Sequence, residues 1–131
     1  MLNGKKILLG VCGGIAAYKA VALCSRLVQA GARVRVVMTE SATKFVTPLT
    51  FQTMSREAVA TDTFEERDPS VVSHIELADW ADAVVIAPAT ANMLAKMAVG
   101  LADDMLSTVL LATEAPVWAA PAMNVHMLDH P

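Results

Sequence analysis

The apolar pattern at the N-terminal end changes its period at a pair of glycines. Residues 7–11 form a short continuous apolar run, ILLGV, which is typical of a strand buried on both faces of a parallel sheet. From Ile15 onward the apolar residues recur at helical spacing, and Lys19 and Arg26 fall on the opposite side. Gly31 marks the end of this helix. The pattern therefore predicts a strand, a glycine turn and an amphipathic helix.

The same alternation of strand and helix continues along the chain. Apolar or alternating runs predict further strands at 33–38, 58–61, 83–87 and 117–120. Helices are predicted from 48 to about 54, at 73–80, from about 91 to a break at Gly100, and at 103–113, with an acidic surface loop at 62–69. Strands that alternate with helices indicate an α/β fold, here a doubly wound, mostly parallel, Rossmann-like sheet.

Composition narrows the class of protein. The 131 residues suit one domain, and 55% hydrophobic residues with a mean hydropathy of +0.48 make it apolar for its size. A sheet covered on both faces or a surface buried in an oligomer would explain this. A net charge of −3 without a basic stripe argues against nucleic acid, and no apolar run has the length of a membrane span. Cys12 and Cys24 form no CxxC pair, so we expect free thiols in a reducing cytoplasm.

The glycine turn after the first strand is a candidate anion site. Unpaired N–H groups at a helix N-terminus bind phosphate well, and Gly13 and Gly14 would let a ligand approach the backbone. The spacing from Gly10 departs from the dinucleotide fingerprint, because Cys12 and Ile15 stand where it requires glycine. There is also no Gly-Lys-Ser/Thr sequence of a P-loop. From these residues alone, a phosphate site and a purely structural turn are equally good interpretations.

Polar residues also follow the second strand. Glu40 could bind a ribose, as an acid does in NAD-binding domains, whereas Thr39 and Ser41 could donate hydroxyl groups to a phosphate or a ring edge. Ser41 could equally cap a short helix that runs to Val46. The sequence leaves these three interpretations open.

Other candidates lie at the same predicted edge of the sheet. Thr90 follows the strand at 83–87, and Asn124 follows the strand at 117–120 as an amide suited to burial. His74 begins the helix at 73–80, where a capping role is the simpler interpretation and its position over the sheet edge favours a catalytic one. His126 and His130 lack any metal-binding motif, so we predict a flexible tail there and no metal site.

Four segments together resemble a known family. They are GVCGGIAAYK at 10–19, SHIELADWAD at 73–82, APATANMLAK at 87–96 and PAMN at 121–124. The sequence resembles the flavin-dependent cysteine decarboxylases, and among them the phosphopantothenoylcysteine decarboxylases of coenzyme A biosynthesis. The resemblance covers essentially the whole chain, and the last three segments in combination are very specific.

The resemblance implies a cofactor, FMN, and a set of site residues. It implies that His74 is the active-site histidine and that Asn124 binds the substrate carboxylate. The residues that the resemblance assigns to FMN binding are Gly13, Gly14, Ile15, Thr39, Ser41, Thr90, Ala91, Asn92 and Ala122.

The resemblance also implies an activity and an assembly. The activity is that of a carboxy-lyase acting on 4′-phospho-N-pantothenoylcysteine, towards 4′-phosphopantetheine. The assembly is a cytoplasmic homo-oligomer, a trimer or a dodecamer, with FMN between subunits and no nucleic-acid or membrane partner. The family's proton-donating cysteine lies on a flap after the PAMN segment and has no counterpart here, so we expect residues 1–131 to be an FMN-binding domain truncated before that flap.

Two other functions suit the same fold. One is a catalytically silent flavoprotein subunit that regulates a partner, and the other is a flavin prenyltransferase. The presence of both His74 and Asn124 argues against the first. Flavin prenyltransferases lack the combination of PAMN and histidine that this sequence has. Decarboxylation therefore remains the preferred prediction.

Overall fold

Four parallel strands form a central sheet in the part of the chain that the structure describes. The structure is a computed structural model, and it describes residues 1–61 and 73–130. The strands, in chain order, are β1 (Lys6–Val11), β2 (Arg33–Met38), β3 (Ala83–Ala89) and β4 (Val117–Pro121). Their spatial order is β2-β1-β3-β4, so the chain switches direction across the sheet between β1 and β3. In such sheets ligands bind beyond the carboxyl ends of the strands at this switch point.

Helices connect the strands and follow the predicted alternation. They are α1 (Ala17–Gln29), α2 (Pro48–Ser55), α3 (Ser73–Trp80), α4 (Ala91–Val99), α5 (Met105–Ala112) and α6 (Val125–Leu128), with a 3-10 turn at Ala42–Lys44. The bounds of β2 and α3 coincide with those predicted from the sequence. Gly100 ends α4 in the left-handed conformation with φ of 73°, which glycine adopts without the steric cost of a Cβ.

The sheet is covered on both faces, which confirms the doubly wound prediction. Leu8 belongs to a buried cluster with residues of α3, α4 and α5. Leu9 and Val11 belong to a second cluster with residues of α1 and α2. Because successive side chains of a strand point to opposite faces, the continuous apolar run of β1 contributes to both clusters. Leu8, Leu9 and Val11 are all fully buried, as that run predicted.

A close approach of α5 to the sheet sets the position of that helix. A Cβ added to Gly10 would lie 2.6 Å from Cδ1 of Leu106, so α5 packs closely on β1 here and a larger residue would make the Leu106 side chain shift. The N-terminus of α5 is thereby placed over the switch point between β1 and β3.

Three predicted elements differ from the observed ones. The strand at 58–61 is wrong, because this segment forms an isolated bridge between Ala60 and Val37 and no longer ladder. The helix predicted to begin at Asp103 begins at Met105, because Asp104 is its N-cap residue and precedes the first helical turn. The flexible tail at the C-terminus is also wrong, since Val125–Leu128 is a short helix capped by Asn124. The loop predicted at 62–69 lies outside the described residues.

The helices were also compared with the requirements of a membrane span. None of those in the described ranges is both long enough and apolar enough to cross a bilayer.

Candidate functional site

A cleft of about 660 Å³ opens where β1, β2 and β3 end. This volume lies within the range of about 300–1,000 Å³ that is usual for small-molecule sites. The described residues that line it come from the segments after these strands and from the α4–α5 corner: Gly13, Thr39, Glu40, Ser41, Thr43, Thr61, Thr90, Asn92, Met93, Lys96, Asp103 and Asp104. Five residues predicted to bind a cofactor are therefore together at one site: Gly13, Thr39, Ser41, Thr90 and Asn92.

The turn after β1 brings backbone close to the cleft. A Cβ on Gly13 would collide with Ser41, whereas a Cβ on Gly14 would meet nothing within 4 Å. Helix α1 begins four residues after Gly13, and no side chain caps it at Ala16. The first N–H groups of a helix are orphan donors with a partial positive charge, so this end of α1 can bind an anion.

The segment after β2 uses Thr39 to organise its own turn. Thr39 N donates to Val11 O at 3.0 Å, which ties this segment to the end of β1. The Thr39 hydroxyl oxygen accepts a hydrogen bond from Ala42 N at 3.2 Å. Ser41 makes no side-chain capping bond, so the interpretation of Ser41 as a helix cap is wrong. The exposed Ser41 side chain lines the cleft instead.

The segment after β3 begins α4 and covers a buried thiol. The Thr90 oxygen accepts from Met93 N at 3.2 Å and caps α4, so the helix begins beside the cleft. Cys12, at the end of β1, is 1% exposed. Burial raises the pKa of the Cys12 thiol, and hydrogen bonds with Thr90 lower it by a smaller amount. Cys12 is therefore a neutral, packed thiol at neutral pH, beneath the residues that line the cleft.

A charged corner between α4 and α5 also lines the cleft, and the sequence reasoning missed it. Lys96 Nζ lies 2.8 Å from Asp103 Oδ1. The hydrogen bond with Asp103 raises the pKa of Lys96, and the same bond lowers the pKa of Asp103. A signal was available, because Asn92 and Lys96 are four residues apart and share one face of the predicted helix.

Six predicted site residues are not among the described residues that line this cleft. They are Gly14, Ile15, His74, Ala91, Ala122 and Asn124. His74 is half-buried near the start of α3. Ala122 N donates to Ala89 O at 3.1 Å, which places the PAMN segment beside the end of β3.

Asn124 lies at the start of the last helix. Its side chain is exposed, although an amide is suited to burial, and its Oδ1 accepts from His126 N at 2.8 Å to cap α6. The side-chain amide group is not used by this capping bond. Among residues 1–61 and 73–130, no group of three or more His, Cys, Asp or Glu side chains is arranged to hold a metal ion.

Comparison with known sequences identifies similar proteins. The chain is 67% identical over 131 residues to the coenzyme A biosynthesis bifunctional protein CoaBC of Bacillus subtilis, with 100% of the chain and 32% of that protein covered. It is 52% identical over 126 residues to the protein of the same name from Escherichia coli K12, with 96% and 31% covered. The chain thus spans about a third of the length of these relatives.

Comparison with solved structures finds the same architecture. The crystal structure of the FMN-dependent cysteine decarboxylase SpaF matches with a TM-score of 0.92 and 37% identity, covering 100% of this chain and 75% of that one. A cysteine-to-serine mutant of PPC decarboxylase, complexed with pantothenoylaminoethenethiol, matches with a TM-score of 0.85 and 35% identity, covering 98% and 72%.

A family model adds a third, independent match. The model described as flavoprotein matches residues 1–131, which is the whole chain. The family match, the identity to SpaF over three quarters of that chain and the cleft at the sheet edge agree with one another. The chain therefore belongs to the flavoprotein family, in the group of the FMN-dependent cysteine decarboxylases.

Proposed function

We propose that this chain binds FMN in the cleft and is the carboxy-lyase that decarboxylates 4′-phospho-N-pantothenoylcysteine in coenzyme A biosynthesis. One observation carries the proposal: the turns after β1, β2 and β3, which the sequence assigned separately to one cofactor, line a single cleft. The similarity to PPC decarboxylase and to the CoaBC proteins supports the choice of substrate. Residues 1–131 form the FMN-binding decarboxylase domain in this proposal.

The phosphate of FMN fits the turn at the start of α1. Ala17 N and Lys19 N already donate to Gly14 O and Ala16 O, so the helix dipole and the other backbone N–H groups of this turn are what an anion would meet. The open space at Gly14 leaves room for phosphate oxygens against the backbone. In this arrangement Gly13 provides close packing against Ser41, and Gly14 and Ile15 provide the approach to the ligand.

The rest of the cofactor fits the polar rim of the cleft. Thr39, Ser41 and Asn92 present hydroxyl and amide groups that can bond to ribityl and ring oxygens. Thr90 accepts one bond from the α4 backbone, and its side chain also bonds with Cys12, so it orients the start of α4 at the edge of the cleft. The small side chains of Ala91 and Ala122 would leave space for a flat ring.

The chemistry divides between the cofactor and the chain. Bound FMN would supply the redox step by accepting a hydride from the cysteine moiety, whose thiol also loses its proton, and the resulting thioaldehyde could hold the electrons left by CO₂. His74 would act as acid or base, or orient the carboxylate. Asn124 would donate its amide to the substrate carboxylate and fix the direction in which CO₂ leaves.

We also propose that the active site is completed in a homo-oligomer, a trimer or a dodecamer. His74 and Asn124 are not among the lining residues of their own cleft. In this proposal a neighbouring subunit therefore supplies the residues that complete each active site. Exposed large apolar side chains, including Ile15 at 80% and Trp118 at 67%, support burial between subunits. The buried free thiols of Cys12 and Cys24 support a reducing, cytoplasmic location.

Two measurements test this proposal. The absorbance spectrum of the purified protein should show bound oxidised flavin, and acid release should yield FMN. Incubation with 4′-phospho-N-pantothenoylcysteine should release CO₂ and form a decarboxylated thiol or enethiol, identified by mass spectrometry. A protein that takes up no FMN, or that binds FMN and leaves this substrate unchanged under anaerobic and aerobic conditions, contradicts the proposal.

A further inference from the structure

The α4–α5 corner places one cation at an inner position of the cleft wall. Lys96 Nζ lies 2.8 Å from Asp103 Oδ1 and 3.4 Å from Asp104 Oδ2. The Lys96 side chain is 13% exposed, whereas that of Asp103 is 54% exposed. The Lys96 side chain is thus mostly covered, and the Asp103 side chain is exposed.

Asp104 is held in place by a second set of bonds. Its Oδ1 accepts from Ser107 N at 2.7 Å and from the Ser107 hydroxyl at 2.6 Å, which caps α5. Ser107 is itself buried, with 4% exposure. One oxygen of Asp104 therefore caps the helix while the other pairs with Lys96, and the ammonium group is held at a fixed position in the wall.

The charge balance of the cleft depends on this one lysine. Among the described lining residues the acids are Glu40, Asp103 and Asp104, and Lys96 is the one cation. Without Lys96 every charged group in this lining is negative. A ligand that carries a phosphate dianion would then be repelled by these carboxylates of the cleft lining.

We propose that Lys96 is a binding residue for a flavin that carries a phosphate. The positive charge of Lys96 offsets the aspartates of the α4–α5 corner and sets the affinity of the cleft for FMN. This inference rests on the proposed function and deepens it. It assigns to Lys96 an electrostatic role towards the ligand, in addition to the tie between α4 and α5.

The competing interpretation is that the ion pair only holds the two helices together. Substitutions on the two sides of the pair separate these roles. Lys96→Met removes the Lys96–Asp103 bond and Asp103→Asn removes its ionic part, so a purely structural tie predicts that neither variant binds FMN more tightly. The two substitutions change the charge of the cleft in opposite directions, so the electrostatic role predicts opposite shifts.

The experiment measures the Kd of FMN and of riboflavin, by quenching of flavin fluorescence, for wild type and three variants. We expect Lys96→Met to raise the Kd of FMN about tenfold and Asp103→Asn to lower it about threefold. Lys96→Arg should stay within about twofold of wild type, because it keeps the charge. Riboflavin lacks the phosphate, so its Kd should change much less in both variants. Thermal unfolding of each apoprotein checks that the variants are folded.

Two results would overturn the inference. One is an unchanged or raised Kd of FMN in Asp103→Asn, which stays informative even where Lys96→Met fails to fold. The other is an equal change for FMN and riboflavin in Lys96→Met. Both results can be distinguished from failure of the proposed function, because in that case the wild-type protein itself binds no FMN.

Discussion

Gly13 lies directly against Ser41, and this contact joins the turn after β1 to the turn after β2. A Cβ on Gly13 would collide with the Ser41 side chain and would lie 2.7 Å from the Ser41 carbonyl carbon. Backbone atoms of Ser41 cannot move aside as the end of a flexible side chain can. The two turns can therefore meet at the edge of the cleft because Gly13 has no side chain.

The two neighbouring glycines should respond differently to alanine. Gly13→Ala should lower the free energy of unfolding by about 1–3 kcal/mol through overpacking and should weaken FMN binding, because the two turns must separate. Gly14→Ala is the matched control for stability, since a Cβ there has open space in the protein and Gly14 does not have a positive φ. Denaturant unfolding and flavin titration measure both effects. Equal stability of the two variants would contradict the packing role of Gly13.

Gly14→Asp should abolish FMN binding while the fold survives. The added carboxylate would occupy the open space at the start of α1, where the phosphate is proposed to bind, and like charges repel. Gel filtration with detection of flavin absorbance, together with the unfolding temperature, gives the result. Retention of FMN by Gly14→Asp would place the phosphate elsewhere.

His74→Asn should retain FMN and lower the decarboxylation rate by about 10²–10⁴-fold, the usual contribution of an acid or base. His74 precedes the buried Leu77 and Ala78 by three and four residues on α3, so it shares their face of the helix. Asp79→Asn, at an exposed position of the same helix, is the control and should leave the rate unchanged. A His74→Asn rate within a few-fold of wild type would remove His74 from the chemistry.

Asn124→Asp separates the two roles of that residue. A carboxylate can still accept from His126 N and cap α6, but it cannot donate to a substrate carboxylate and would repel it. We expect kcat/KM to fall at least about 100-fold in both Asn124→Asp and Asn124→Ala. Activity that survives in Asn124→Asp and is lost in Asn124→Ala would mean that capping is the function of Asn124.

The ion pair at the α4–α5 corner should stabilise the fold over a defined pH range. Lys96 lowers the pKa of Asp103 from its ordinary value of 3.8, so this contribution is present above 3.8 and is lost as pH falls through the lowered value. Asp103 raises the pKa of Lys96 from 10.5, so the contribution is present below 10.5 and is lost as pH rises through the raised value.

The difference in unfolding temperature between wild type and Asp103→Asn should therefore be greatest at about pH 5–9 and shrink as pH falls through the lowered pKa of Asp103. A difference that persists unchanged into acid would show that it does not come from the ion pair.

Local pattern was sufficient for most of the elements. The alternation of RVRVVM predicted β2 with the observed bounds, and the apolar run of β1 predicted burial on both faces. The local pattern failed at 58–61. Ala60 exchanges hydrogen bonds with Val36 and Met38 at the edge of β2, but no ladder extends from this bridge. Such a short segment has too little periodicity to distinguish a strand from a single bridge.

The placement of caps was harder to predict than the helices themselves. Two acids before α5 were predicted to lie in its first turn, but Asp104 bonds to Ser107 N and begins the helix from outside. Asn124 was predicted to bind a substrate carboxylate, and no sequence signal indicated that it also caps α6 at the surface. A polar residue near a helix start has several possible partners, and only the fold selects one.

The sequence by itself determined the order of strands and helices and the residues that follow each strand. Since parallel strands all end at one edge of the sheet, it also predicted that Gly13, Thr39 and Thr90 would meet there. Tertiary structure alone decided that Gly13 packs on Ser41 and that Lys96 contacts Asp103 across the α4–α5 corner. Those contacts depend on how rigid elements pack and on which side chains share the space between them, and no local period of apolar residues records that information.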